Sequence, residues 1–321
     1  MKRVLVTGAR GFIGRHCLLH LLELGYEVVA VSTMPTPLQS LAATHCADGS
    51  VTNAGSKIEW RTADLLDPQQ TQRLLDETRP THLLHLAWYA KPGAYWNSPE
   101  NLRWLEASQD LLRRFQARGG ERVVVAGTCA EYVETTGIHH EIETPVRPKT
   151  LYGKCKHALH QYLDCLSEVT GLHSAWARIF LLYGADGPPE KFPQTVVASV
   201  VRGQPALCSH GRQVKDFLHV SDTADALVAL LESPVQGVVN IGSGQGQQLA
   251  EMAERLAARC GRLDLLKLGA LPARPNEPAA LIADISRLRD EVGWSPRIDC
   301  HAGLDQLADA WLRSMAHEEA A

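Results

Sequence analysis

Tyr152 precedes Lys156 by four residues in the stretch LYGKCK. On a helix that spacing sets a phenol and an ammonium on one face, about a turn apart. Such a pair is either an ordinary helical neighbour pair or a proton donor with the cation that tunes it. A phenol titrates near ~10, too high to exchange protons well at neutral pH, and a neighbouring ammonium lowers that value. Which reading holds depends on what the rest of the chain positions around the pair.

A second constellation lies at the start. VTGARGFIG places Gly8, Gly11 and Gly14 at three-residue spacing, directly after a β-branched run and at the opening of a helical pattern. In that setting glycines permit a tight turn and let backbone N–H groups approach a pyrophosphate at the positive end of the helix. The next strand ends VAVSTMP, so Ser32 stands where dinucleotide folds usually carry an acid for the ribose hydroxyls. A serine does not repel a 2′-phosphate, and Arg10 inside the glycine turn can pair with one. The pattern therefore favours NADP(H), with NAD(H) as the alternative. TADLLD supplies Asp64 and Leu65 after the third strand. There an Asp can accept from the adenine amino group while the apolar neighbour packs on the ring; Asp64 as a simple turn cap is the other reading.

The elements that must hold these groups follow from periodicity. RVLVTG, YEVVAV, KIEWRTADL, THLLHLAW, ERVVVAGT and HSAWARIFLLYG read as buried strands, and helical patterns alternate with them, including about 99–118 and 151–170. This alternation predicts an α/β fold, a Rossmann doubly wound parallel sheet covered on both faces. After about residue 185 the breaker cluster GADGPPEKFP opens a different pattern, with helices near 192–202, 221–232, 247–260 and 303–315. The expected organisation is a dinucleotide-binding domain over 1–185 and a smaller, mainly helical substrate-binding lobe over 186–321. Segments at about 215–242 are expected to return to the first domain. Residues 34–57 read as a long polar loop.

The ordered set TGARGFIG, ADLLD, HLAW, VVVAGTCAEY, TPVRPKTLYGKCK, RIFLLYG and GRQVKDFLHVSDTADAL resembles the extended short-chain dehydrogenase/reductases, over nearly the whole chain. That group comprises nucleotide-sugar epimerases, 4,6-dehydratases and ketoreductases. The resemblance implies a Thr128–Tyr152–Lys156 catalytic set acting on a nucleotide diphosphate-sugar. Tyr152 would move a proton at a carbonyl oxygen that Thr128 also holds, while Lys156 also reaches the nicotinamide ribose. It extends the cofactor-binding set to Phe12, Ile13 and Ala87, and assigns Thr128, Lys191, Pro193, Lys215 and Arg274 to the substrate. It further implies a homodimer built from the helices near 99–118 and 151–170. Departures narrow this. Cys129 and Ala130 follow Thr128 where the dehydratases carry an Asp–Glu pair, so no acid–base pair for water loss is present; Glu131 comes one place late. Cys129 is either a second acid or a buried thiol. Leu181 replaces the Asn of the common R-x-F-N-x-Y-G, and Lys215 replaces an Arg, keeping charge without the bidentate fork.

The expectation is an NADPH-dependent reductase of a nucleotide-activated 4-keto-sugar. The alternatives are a nucleotide-sugar 4-epimerase with a transient 4-keto intermediate, and a non-catalytic dinucleotide sensor. Composition agrees with a cytoplasmic globular protein: 321 residues, 45% hydrophobic, formal net charge -4. No basic run invites nucleic acid, and no apolar stretch approaches the roughly 18 residues of a membrane span. Eight widely spaced cysteines form no C-x-x-C pair, which argues against a disulfide framework and a zinc site. No metal is expected, and His139–His140 reads as a solvated loop pair.

Overall fold

In a computed structural model, residues 2–34, 58–273, 275 and 277–320 are described. The expected polar loop therefore falls, from residue 35 to residue 57, outside the described residues. The first elements are β1 (Arg3–Thr7), α1 (Gly14–Glu23), β2 (Glu27–Ser32), β3 (Ile58–Thr62), α2 (Pro68–Thr78), β4 (His82–His85), α3 (Glu100–Ala117) and β5 (Arg122–Thr128). Next come β6 (Gly137–His139), α4 (Leu151–Thr170), β7 (His173–Ile179), β8 (Leu181–Tyr183), α5 (Phe192–Val201), β9 (Ala206–Leu207), β10 (Val214–His219) and α6 (Val220–Glu232). The last are β11 (Gly237–Ile241), β12 (Gly246–Gln248), α7 (Leu249–Arg259), β13 (Leu266–Lys267), β14 (Ala280–Ala283), α8 (Ser286–Asp290) and α9 (Cys300–Ala320).

Seven strands form one sheet in the order β11-β7-β5-β4-β1-β2-β3. The pairings from β3 through β2, β1 and β4 to β5 are all parallel. Their apolar runs are continuous because both faces are covered; every residue of β5 is buried. The order reverses at β1, whose neighbours are β2 and β4. Open α/β sheets bind ligands outside the carboxyl ends of the strands at such a switch point. Helix boundaries follow local chemistry. Asp67 caps α2 by accepting from the Gln69 and Gln70 N–H groups, with Pro68 at the first position. Gly171, at φ 73°, closes α4 in the left-handed region.

The chain forms two compact units. The first comprises Met1–Glu131, Pro148–Arg178 and Ala224–Val239. Its core joins Leu5, Val29, Leu83, Val125 and Trp176 of the sheet to Leu112, Phe115 and Leu159 of the helices. The second comprises Tyr132–Arg147, Ile179–Thr223 and Asn240–Ala321. There α5, α7 and α9 pack around Tyr183, Val197, Val200, Met252, Leu256 and Leu304. This unit also carries a sheet of β12, β10, β14 and β6, with β8 beside β10. Several of its strands are only two to four residues long, too short for an alternating pattern to register. The expected single strand HSAWARIFLLYG is two, β7 and β8. Between them Phe180 N–H donates to the Ile241 carbonyl at 2.9 Å. Both halves are apolar, so no residue pattern marks the change of sheet. His139 is buried on β6, not half of a solvated pair, and hydrogen-bonds the Gly137 carbonyl oxygen at 3.2 Å. Among the described residues no helix is long and apolar enough to cross a membrane.

Candidate active site

β5 delivers Thr128 to the carboxyl end of the sheet, and the 3-10 turn Cys129–Glu131 follows. Glu131 is fully buried and points inward. Its Oε1 accepts from the Thr128 N–H and the Trp176 Nε1–H, each at 2.9 Å, and its Oε2 from Arg178 Nε at 3.0 Å. Burial pushes the Glu131 carboxyl up, and Arg178 and these donors oppose it. Glu131 thus braces the strand end. α4 starts beside this turn. Thr150 caps it by accepting from the Gly153 N–H at 3.1 Å, and the Asn97 side chain accepts from the Leu151 N–H at 3.2 Å. Gly153 permits the approach: a Cβ there would lie 2.6 Å from the Ala130 carbonyl oxygen. The first turn of α4 therefore sits on the 3-10 turn, which sets the Tyr152 phenol beside the Thr128 hydroxyl.

Burial pushes the Tyr152 phenol up, and the neighbouring Thr128 side chain only partly offsets it. Tyr95 and Trp96, on a 3-10 turn at Tyr95–Asn97, present edges to the Tyr152 ring at centroid distances of 4.9 and 5.9 Å. Lys156 is 2% exposed and one turn further on. Its Nζ donates to the Ala126 carbonyl at 2.8 Å and lies 3.9 Å from the Trp88 ring centroid. Burial pulls its ammonium down to about 7. Burial is the larger influence on the Tyr152 phenol, and the Lys156 ammonium is turned to β5 and Trp88. Next to it, burial and then Lys156 push His85 down to about 3, so the ring is neutral. Its Nδ1 and Nε2 lie 2.7 Å from Thr7 Oγ1 and 2.9 Å from Ser108 Oγ.

The glycine turn has the shape a pyrophosphate needs. Gly8 adopts φ 67°, and a Cβ there would stand 2.9 Å from the Ala87 N. A Cβ on Gly14 would run into the Gly8 carbonyl oxygen. Ala87 is held by its own N–H, which donates to Thr7 Oγ1 at 3.2 Å. Ile13 caps α1 without a side-chain bond. The Arg15 N–H donates to the Gly11 carbonyl at 3.2 Å and the His16 N–H to the Ile13 carbonyl at 3.1 Å, and the positive end of α1 suits an anion. Arg10 and Gly11 are exposed on this turn, and Phe12 is half-buried. Ser32 ends β2 and accepts from the Met34 N–H at 3.2 Å. Asp64 Oδ1 accepts from the Leu66 N–H at 3.0 Å, so it caps its turn, and Leu65 is buried. All these residues belong to the first unit with Thr128, Tyr152 and Lys156, and a cradle that side chains would fill fits a dinucleotide.

The second unit holds the expected substrate residues. Lys191 is exposed at the start of α5, and Pro193 is buried in its first turn. Lys215 is 7% exposed on β10, where its Nζ lies 3.4 Å from Glu277 Oε1 and donates to the Pro278 carbonyl at 3.1 Å. Arg274 lies outside the described residues. Sequence reasoning missed Trp88, Tyr95, Trp96 and Asn97, although the aromatic density of HLAWYAKPGAYWN was the available signal. Glu131, His157 and His160 approach one another within 4.8 Å, as metal ligands do. Glu131 is already committed to Arg178, however, and a guanidinium at that carboxylate repels a second cation.

The sequence profile of the NAD dependent epimerase/dehydratase family matches residues 4–242. The UDP-glucose 4-epimerase of Azospirillum brasilense is 28% identical, over 98% of this chain and 92% of its own. UDP-arabinose 4-epimerase 1 of Arabidopsis thaliana is 26% identical, over 99% of this chain and 80% of its own. The crystal structure of Thermus thermophilus UDP-glucose 4-epimerase in complex with NAD superposes with a TM-score of 0.79 at 27% identity, covering 96% of this chain and 98% of the other. With a doubly wound sheet, a glycine cradle and a Thr–Tyr–Lys cluster at one strand end, the chain belongs to the NAD dependent epimerase/dehydratase family and is an enzyme of the short-chain dehydrogenase/reductase type.

Proposed function

We propose that the chain is a nucleotide-sugar 4-epimerase working with NAD. The observation that carries this is the end-to-end similarity to UDP-sugar 4-epimerases, together with the Thr128–Tyr152 contact. The reductase expected from Ser32 and Arg10 gives way, because the relatives are named as epimerases and the Thermus neighbour holds NAD. Gly8, Gly11, Gly14 and the start of α1 would hold the pyrophosphate, with Ser32, Asp64, Leu65 and Ala87 along the rest of the dinucleotide. Bound NAD supplies reversible hydride acceptance at the sugar carbon. Tyr152 takes the hydroxyl proton as that carbon is oxidised and returns it afterwards, while Thr128 holds the same oxygen. Lys156 supplies the positive charge that this proton transfer needs, against the upward push of burial on the phenol. Lys191, Pro193 and Arg274 are the proposed nucleotide-sugar contacts of the second unit. Lys215, engaged by Glu277, braces the segment at 277–278.

The test uses the purified full chain. It is denatured and the released dinucleotide identified, and a second sample is given UDP-glucose with no added NADH or NADPH. Bound NAD and appearance of the C4 epimer by chromatography are the expected results. Stoichiometric consumption of NADPH against a keto-sugar, with no epimer formed, restores the reductase. We further propose a homodimer through α3 and α4, which pack together and leave Leu102 and Val169 exposed. A monomer by sedimentation at micromolar concentration overturns it.

A further inference from the structure

Lys156 is a buried cation without a buried anion to match it. Among the described residues no carboxylate lies within ion-pairing distance of its Nζ. The acid whose charge acts on it is Glu131, which Arg178 already pairs. The other groups facing it bring no negative charge. His85 of β4 is neutral between Thr7 and Ser108 of α3, Tyr152 is its protonated neighbour on α4, and Asn101 of α3 is engaged by Trp88. Apart from the Ala126 carbonyl, what meets the ammonium is the face of Trp88, 3.9 Å from Nζ to the ring centroid. An indole face carries negative potential and attracts a cation most strongly where water is excluded.

The indole is itself clamped. Its Nε1–H donates to Asn101 Oδ1 at 2.8 Å. Asn101 is fully buried, and its amide donates to the carbonyls of Tyr95 at 2.7 Å and Ser98 at 2.9 Å. Every hydrogen-bonding atom of that amide is thus spent on holding the ring and the loop that carries it. An Asn used this way fixes a ring plane, and the plane it fixes is the one turned to Lys156.

We infer that Trp88 is the positioning residue of Lys156: its clamped indole face holds the ammonium charged and against the Ala126 carbonyl, one helical turn from Tyr152. That Lys156 serves the reaction rests on the function proposed above; that Trp88 governs Lys156 does not.

The experiment reads the two separately. The full chain with NAD added is labelled at lysine 13Cε, and the Lys156 signal is followed through a pH titration; only nine lysines contribute, and Lys156→Met identifies the one that matters. Trp88→Leu removes the aromatic face and should lower the Lys156 midpoint by about one pH unit. Trp88→Phe, which keeps a face, should fall between Trp88→Leu and the parent. Replacing the tryptophans biosynthetically with a fluorinated analogue drains the ring face while keeping its shape, and should shift the midpoint down even if Trp88→Leu fails to fold. An unmoved midpoint in folded Trp88→Leu, or in the fluorinated protein, overturns the inference. The alkaline limb of the epimerase pH profile should move down with the midpoint. A moved midpoint with an unmoved activity profile keeps Trp88 as the governor of Lys156 and removes Lys156 from the mechanism.

Discussion

Lys156 and Lys215 are both buried lysines, and each donates to a backbone carbonyl. Their remaining partners differ. Lys215 has the Glu277 carboxylate at 3.4 Å, which also accepts from Gln213 Nε2 at 2.9 Å. Lys156 has an aromatic face and no carboxylate. A charge matched by a carboxylate is held in place and largely cancelled. A charge facing only an indole stays uncancelled, at an energetic cost that burial makes large. The first arrangement suits a brace and the second a group whose charge is used.

Turnover should separate the two lysines most. Lys156→Met is expected to lower turnover about a hundredfold or more, at the scale of losing a proton-transfer partner. Lys215→Met should leave turnover unchanged and raise KM a few-fold at most. Steady-state kinetics with UDP-glucose reads both. A KM increase of an order of magnitude in Lys215→Met would mean that its charge meets the substrate diphosphate, and the comparison would collapse.

What the sequence revealed of these two sites follows from distance along the chain. Tyr152 and Lys156 are four residues apart on one helix, so their neighbourhood is local and legible. The glycine turn is equally local. The strands β1, β2, β4 and β5 announce themselves because burial on both faces makes them unbroken apolar runs. Thr128 ends such a run, and its part in the set follows from the family resemblance. The direction of the Lys156 ammonium was not legible, since a four-carbon stem reaches Tyr152 or Ala126 equally well. Trp88 lies far from Lys156 in sequence, and no local period encodes that contact. The same holds for Lys215 and Glu277, joined only because β10 runs beside β14. The strands β6, β9, β12, β13 and β14 of the second unit were not legible for a different reason: runs of two to four residues carry no periodic signal.

Stability should respond to pH through Lys156. The Lys156 ammonium titrates at about 7 in the fold and near ~10.4 in an unfolded chain. Between those values the unfolded chain binds a proton that the fold does not, so stability rises with pH, by up to about 1.4 kcal/mol per unit. Below about 7 the cost of the buried charge is fully present. Lys156→Met removes that cost while filling nearly the same volume. The variant should be more stable than the parent at pH 6, with the difference shrinking towards pH 10. Urea midpoints at pH 6, 8 and 9.5 read this. A difference that stays constant, or grows with pH, would show that Lys156 is stabilised by a partner as Lys215 is.

The smallest effect is expected at Glu277. Glu277→Gln keeps the side-chain volume and removes the charge that answers Lys215. The side chain of Glu277 is 25% exposed, so water reaches that ion pair. A pair that water reaches is worth little, typically 1 kcal/mol or less, whereas a fully buried lysine left unpaired would cost about 3–5 kcal/mol. The expected loss is therefore about 1 kcal/mol, with turnover unchanged, because Lys215 keeps the Pro278 carbonyl. A loss of several kcal/mol by urea unfolding would place Lys215 in an environment as dry as that of Lys156. The two lysines would then differ only in their partners, and partner chemistry alone would have to explain why one braces a strand and the other serves a phenol.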